Sequence, residues 1–97
     1  MIIDHSRQDG LRLLEAEDLK RFKLRLQSGE LRPKLGGVTF VDDDNALIAI
    51  TLPPSLPGAP TSQSWRDGYQ AMIDYAASKG WIDAATQTIR AHIERIP

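Results

Sequence analysis

The chain has 97 residues and a formal net charge of −1, from 12 basic and 13 acidic side chains. This length predicts a single domain over residues 1–97, and the charge excludes a global field that would attract nucleic acid or an anionic membrane. Cysteine is absent. Its absence excludes disulfides, thiolate zinc sites, iron–sulfur clusters and cysteine nucleophiles, and it fits a cytoplasmic protein.

The first third of the chain predicts one short strand and one helix. Residues 1–9 show no periodic pattern, and we expect them to be irregular. Residues 10–14, Gly-Leu-Arg-Leu-Leu, alternate briefly as a strand does. Residues 16–28 predict a helix, because acidic residues precede basic ones along it and Gly29 follows it. Its apolar residues recur at the helical spacing i, i+3 and i+7: Leu19, Phe22 and Leu26.

The stretch from residue 37 to residue 52 predicts a β-hairpin. Two runs rich in β-branched and aromatic residues flank the polar segment 42–45, Asp-Asp-Asp-Asn, whose side chains favour a turn. A four-residue loop there places Phe40 opposite Leu47. The second run, 46–50, is apolar at every position, which is typical of a central strand with both faces covered.

A proline-rich segment and a second helix follow the hairpin. Residues 53–60, PPSLPGAP, predict a stiff connector within the domain. Residues 65–79 predict a helix that Ser64 caps and Gly80 ends. Its apolar stripe consists of Trp65, Tyr69, Met72, Ile73 and Ala76. Trp81 is expected to fold back on the last turn, and the off-stripe Tyr75 to be exposed or at an interface.

The C-terminal segment fits two structures. Apolar residues alternate with polar ones over 88–94, which predicts a strand, but the isoleucines and Ala85 also have the helical spacing of a helix over 84–95. With the strand, the order of elements is β-α-β-β-α-β, the split βαβ or ferredoxin-like α+β arrangement with the hairpin at its centre. With the helix, the fold is an α+β domain with a two- or three-stranded sheet.

Few side chains are candidates for chemistry. Histidine titrates near neutrality and is the usual general acid or base, so His92 is the first candidate. On the predicted strand, Arg90, His92 and Glu94 point to the same side and form a polar row that could line a site. A solvent-facing polar row is the simpler interpretation of the same pattern.

The acidic loop is a weak candidate for a metal site, through Asp42 and Asp44, because carboxylate oxygens suit hard cations. If Asp42 is position one of a calcium loop, position twelve is Pro53, which has no carboxylate to supply. The chain also has no phosphate-binding glycine loop. We therefore expect neither a metal nor a cofactor.

The basic residues suggest nucleic acid at first, but the strands do not support it. Half of the Lys and Arg total lies within residues 20–34, and phosphate contacts need such a cluster. The predicted strands 10–14 and 46–50 carry no aromatic side chain on which bases could stack, so nucleic acid is not expected as a partner. No apolar run approaches the roughly 20 residues of a membrane span, so a membrane is not expected either.

The missing motifs and the predicted architecture together suggest a function. Two helices would cover one face of the sheet, and the apolar run 46–50 would leave the other face in need of cover. We expect a non-catalytic protein that acts through protein–protein contact, as a homodimer or as an accessory subunit. The alternative is a small-molecule-binding protein or cofactor-free enzyme with its site near Arg90, His92 and Glu94.

Overall fold

The computed structural model describes all 97 residues as a mixed seven-stranded sheet, curled into a half-barrel, with one long helix against it. The elements are β1 (Ile2–Ser6), β2 (Gly10–Leu14), β3 (Lys23–Leu26), β4 (Val38–Phe40), β5 (Asn45–Ala49), α1 (Leu52–Ser55), α2 (Gln63–Ser78), β6 (Ile82–Asp83) and β7 (Thr88–Arg95). No helix has the length and apolar character needed to cross a membrane.

The strands lie in the order β2-β1-β3-β7-β5-β4, and the short β6 pairs with the first part of β7. β3 runs parallel to both of its neighbours, β1 and β7, and every other pair is antiparallel. β7 is the strand that joins the two halves, since β3 lies on one side of it and β5 on the other.

The core lies between one face of the sheet and α2. Along β5, Ala46 and Ile48 are fully buried, whereas Leu47 and Ala49 are only half-buried, so the two faces of the strand are not equivalent. The inward side chains of the sheet pack with the apolar stripe of α2 in a cluster of 15 buried residues. We call the opposite side, which no helix covers, the open face.

Polar groups on the buried side of α2 are satisfied by distant backbone. The Trp65 indole N–H donates to the Ala16 carbonyl at 2.7 Å, and the Tyr69 hydroxyl donates to the Ile50 carbonyl at 2.7 Å. Burial raises the pKa of Tyr69. These two bonds fix α2 against both the loop after β2 and the segment after β5.

The ferredoxin-like prediction is wrong, because the structure has seven strands and only one long helix. The helix predicted over 16–28 does not form: turns are followed by strand β3. In β3 the buried Leu24 and Leu26 alternate with the half-exposed Lys23 and Arg25. This period of two, which fits a half-buried strand, takes precedence over the helical spacing of the apolar residues.

The expectation that residues 1–9 are irregular is also wrong. Residues 2–6 form β1, which lies inside the sheet between β2 and β3. Ile2, Ile3 and Asp4 are all buried, although neighbouring residues of a strand point to opposite faces. On the open face, side chains and not a helix surround β1: Arg12, Arg25 and Gln27 donate to the Asp4 carboxylate, so burial does not alternate along this strand.

The predicted hairpin forms, with a shifted register. Phe40 pairs with Ala46 and Thr39 with Leu47, whereas the prediction placed Phe40 opposite Leu47. The Asp42 carboxylate accepts hydrogen bonds from the backbone N–H groups of Asp44 and Asn45, at 2.8 Å each. The turn that these bonds close leaves Asn45 as the first residue of β5.

The second half of the chain follows its local pattern more closely. The helix over 65–79 is confirmed as α2, although the residue that caps it is Ser62, whose hydroxyl accepts from the Trp65 N–H at 3.3 Å. The strand over 88–94 is confirmed as β7, and the alternative helix over 84–95 is wrong, as is the two- or three-stranded sheet.

The proline-rich connector begins with the single turn of α1 and then contacts β2. The Leu13 N–H donates to the Pro57 carbonyl at 2.8 Å. Gly58 has φ +94, and a Cβ built there would lie 2.2 Å from the Leu13 carbonyl oxygen. Only glycine allows this approach, so the connector is held against the outer strand of the sheet.

Candidate functional site

The predicted polar row lies on the open face. Along β7, Ile89, Ala91 and Ile93 are buried, and the residues between them point away from α2. Of these, Arg90 and His92 are exposed and Glu94 is half-exposed. A cavity on the helix side of the sheet reaches the backbone position of Arg90, but neither His92 nor Glu94 lines it.

Glu94 is engaged by a neighbouring strand. It accepts a hydrogen bond from the Lys23 Nζ at 2.7 Å, and this bond lowers the pKa of the Glu94 carboxyl below its usual value. His92 pairs in register with Lys23 on one side and with Asn45 on the other. Glu94 is thus held ionised, which does not suit a proton donor near neutral pH.

A second set of charged side chains lies on the open face around Asp4, whose own side chain is fully buried. Its carboxylate accepts from Arg25 Nε at 2.8 Å, Gln27 Nε2 at 2.6 Å and Arg12 Nε at 3.2 Å. Burial acts to raise the pKa of Asp4, but the three hydrogen bonds outweigh burial and hold the pKa below its usual value. The charges of this part of the open face are therefore paired with one another.

Two of the carboxylates in the acidic loop already have partners within the chain. The Asp42 carboxylate serves the backbone of Asp44 and Asn45, and these bonds lower the pKa of Asp42. Asp43 forms an ion pair with Arg32 at 2.8 Å, and Asp44 is exposed. The structure brings together no group of three His, Cys, Asp or Glu side chains that could hold a metal ion.

The cavity lies on the helix side of the sheet, where the strand next to β7 changes from β6 to β3. β6 pairs with β7 at residues 88–89 and β3 pairs with it from residue 92, so residues 90–91 lie between two neighbours of β7. A cleft of about 800 Å³ opens there, and 8 of its 11 lining residues are hydrophobic. One rim is the segment 19–22, the other is α2 from Gly68 to Ala76, and Trp81 closes one end. We call this space the aromatic cleft.

Two exposed aromatic rings flank the aromatic cleft. Tyr75 is 57% exposed and Trp81 is 49% exposed. Their ring centroids are 6.0 Å apart in an edge-to-face arrangement, and the Lys79 Nζ lies 5.5 Å from the centroid of the Tyr75 ring. The Trp81 N–H donates to the Ala76 carbonyl, and its carbonyl accepts from the Arg90 N–H, both at 3.0 Å. The exposed rings are thus held in place by backbone and ring contacts.

Lys20 is the charged residue of the segment 19–22 in the cleft lining, whereas Arg90 borders the cleft where its N–H donates to the Trp81 carbonyl, and its side chain points to the open face. Arg90 belongs to the polar row, as predicted, and Tyr75 lies outside the buried stripe of α2, as predicted. Trp81 does fold back on the last turn of α2, as expected. Its large exposure beside a cleft had no local signal, because the opposite rim is contributed by residues some sixty positions earlier.

Comparison with known proteins gives no further assignment for this site. No protein-family model, curated protein or solved structure matches the chain. Function has therefore to be argued from the geometry and chemistry of the aromatic cleft and the open face.

Proposed function

We propose that this is a non-catalytic cytoplasmic protein that acts by contact with a second copy of itself, through the aromatic cleft. The observation that carries the proposal is the pair of exposed rings, Tyr75 and Trp81, held beside an apolar cleft of about 800 Å³. Tyrosine, tryptophan and arginine are the residues that most often dominate the binding energy of protein interfaces. The cysteine-free composition supports the cytoplasmic placement.

The open face is the weaker candidate for this contact. Asp4 and Glu94 are already paired with basic side chains of neighbouring strands. Burying those pairs under a partner would remove water from charges that gain no new partner, which costs free energy. The aromatic cleft exposes apolar rings instead, and burying them is favourable.

Light scattering after size-exclusion chromatography tests the proposal on the full chain. We expect a dimer whose population rises with concentration, and a dissociation constant about thirtyfold weaker for Trp81→Ala, which corresponds to a hot-spot loss of about 2 kcal/mol. Leu31→Ala is the control, because Leu31 is 58% exposed and does not line the cleft. A wild-type chain that stays monomeric at high micromolar concentration contradicts the proposal.

One observation favours a second candidate, a small-molecule-binding protein. The cleft volume of about 800 Å³ lies within the roughly 300–1,000 Å³ of ligand sites, and Lys20 contributes a basic residue to its lining. The fluorescent probe 1-anilinonaphthalene-8-sulfonate would then bind at one site per chain. Met72→Trp, which fills the cleft, should abolish that binding, and binding that survives Met72→Trp would place the probe elsewhere.

A further inference from the structure

We infer that two copies pair symmetrically across the aromatic cleft, with Lys20 of each chain facing Asp67 and Asp74 of the other. The inference rests on the proposed self-association and adds to it the partner surface and its register. The two rims of the cleft differ in charge. The segment 19–22 contributes Lys20 to the cleft lining, whereas the solvent side of α2 carries Asp67 and Asp74. Arg66, the one basic residue within α2, lies about 100° farther around the helix from the cleft than Asp67 does.

The acidic residues of α2 lie beside the cleft and point outward. Asp67 and Asp74 are exposed and, seven residues apart, lie on the same stripe of the helix. At about 100° per residue, this stripe is roughly a quarter-turn from Gly68 and Tyr75, which line the cleft, and on the side away from the buried stripe. A molecule seated on the cleft would therefore meet the two carboxylates at its edge.

These charged side chains form no ion pair within their own chain. Asp67 accepts only from the Gln63 amide at 2.9 Å, and Asp74 from the Gln70 amide at 3.0 Å, both one turn earlier on α2. Neither aspartate forms an ion pair, and neither does Lys20. In contrast, the charges at Asp4 and Glu94 on the open face are paired internally.

A twofold axis over the cleft matches these charges. Such an axis brings the segment 19–22 of one chain onto α2 of the other, and every contact occurs twice. Lys20 then meets Asp67 and Asp74, while Tyr75 and Trp81 lie near the centre and exclude water from the pairs. The positive charge of Lys79 does not oppose Lys20 of the second copy, because Lys79 stacks on Tyr75, farther along the helix than Asp74.

Charge reversal tests the register. We expect Lys20→Glu alone, and Asp67→Lys with Asp74→Lys, each to weaken the dimer at least about tenfold at low salt, since each change opposes like charges at two symmetric positions. The chain carrying all three changes should dimerise within about threefold of wild type, because the charges match again. An equimolar mixture of the two reversed chains should form a 1:1 heterodimer. Glu30→Lys is the control, being an exposed acid-to-base change outside the cleft lining.

The outcomes separate this inference from the proposed function. If both reversed chains dimerise like wild type while Trp81→Ala does not, the register is overturned and self-association through the cleft stands. If the reversed chains are monomeric and folded by circular dichroism but the triple variant stays monomeric, the pairing is also overturned. A wild-type chain that is monomeric throughout overturns both, and probe binding abolished by Met72→Trp would then assign the cleft to a small molecule.

Discussion

The open face and the aromatic cleft are the two surfaces that the helix leaves uncovered, and they differ in how they meet solvent. On the open face, carboxylates on β1 and β7 are paired with basic side chains of adjacent strands. In the cleft, apolar side chains and two exposed rings have no such cover. A sheet face that no helix covers therefore does not by itself require a binding partner. An exposed apolar surface such as the aromatic cleft does favour a binding partner.

The difference follows from how each surface is assembled. The open face consists of side chains at fixed cross-strand spacing, so opposite charges on neighbouring strands meet directly. The aromatic cleft lies where β6 and β3 both end along β7, and no strand fills the position between them. Segment 19–22, α2 and Trp81 surround that position without closing it.

The largest expected loss of stability is on the helix side of β5, and the same change on its open face should cost much less. Ile48→Ala should lower the free energy of unfolding by about 4 kcal/mol, because Ile48 is fully buried and its removal leaves a cavity. Leu47→Ala is the matched change on the open face, and we expect about 1 kcal/mol, because Leu47 is only half-buried. Urea denaturation measures both. Equal losses would mean that the open face is covered in solution and does not differ from the helix side.

A somewhat smaller loss is expected at the centre of the charged group on the open face. Asp4→Ala should cost about 3 kcal/mol in urea denaturation, because it leaves Arg25 and Arg12 without the carboxylate that both contact. Asp9→Ala is the control, since Asp9 contacts the same Arg12 from an exposed position at 3.5 Å and should cost less than about 1 kcal/mol. Equal losses for Asp4→Ala and Asp9→Ala would show that the buried position of Asp4 does not strengthen its ion pairs with Arg12 and Arg25.

The pKa of Asp4 predicts a dependence of stability on acid. Since hydrogen bonding lowers the pKa of the folded carboxyl below its unfolded value of about 4, the unfolded chain binds more protons between those two values. The contribution of Asp4 is thus complete above about pH 5 and is lost as pH falls through about 4 towards the folded pKa. Asp4→Asn should flatten this acid limb in denaturation between about pH 5 and 2. An unchanged slope would contradict the assignment to Asp4.

The parts of the fold that could be predicted are those with local periodicity. α2, the hairpin, β2 and β7 each show their pattern within one segment. β1 could not be found, because Ile2, Ile3 and Asp4 are buried on both faces and do not alternate. β3 could not be distinguished from a helix, because its four alternating residues lie within a longer stretch whose apolar spacing also fits the helical period.

Of the candidate site residues, the sequence predicts the placement only of those that lie on a single strand. Arg90, His92 and Glu94 lie on one face of β7, as alternation requires. The aromatic cleft was not predictable as a site, because it brings Phe22 and Lys20 next to Tyr75 and Trp81 through the pairing of β3 and β6 with the same strand. That pairing depends on the strand order and not on any local pattern.

The smallest expected energetic effect is at the cleft itself, in a comparison of the two tryptophans. Trp81→Phe should change the free energy of unfolding by no more than about 0.5 kcal/mol, because the ring is 49% exposed, whereas Trp65 is 6% exposed and hydrogen-bonded. Acrylamide should quench Trp81 strongly and Trp65 weakly, so Trp81→Phe should remove most of the quenching in dilute solution. As the wild-type concentration rises, self-association through the cleft should protect Trp81 and lower its quenching. Quenching that does not change while light scattering reports a dimer would place the contact away from the cleft.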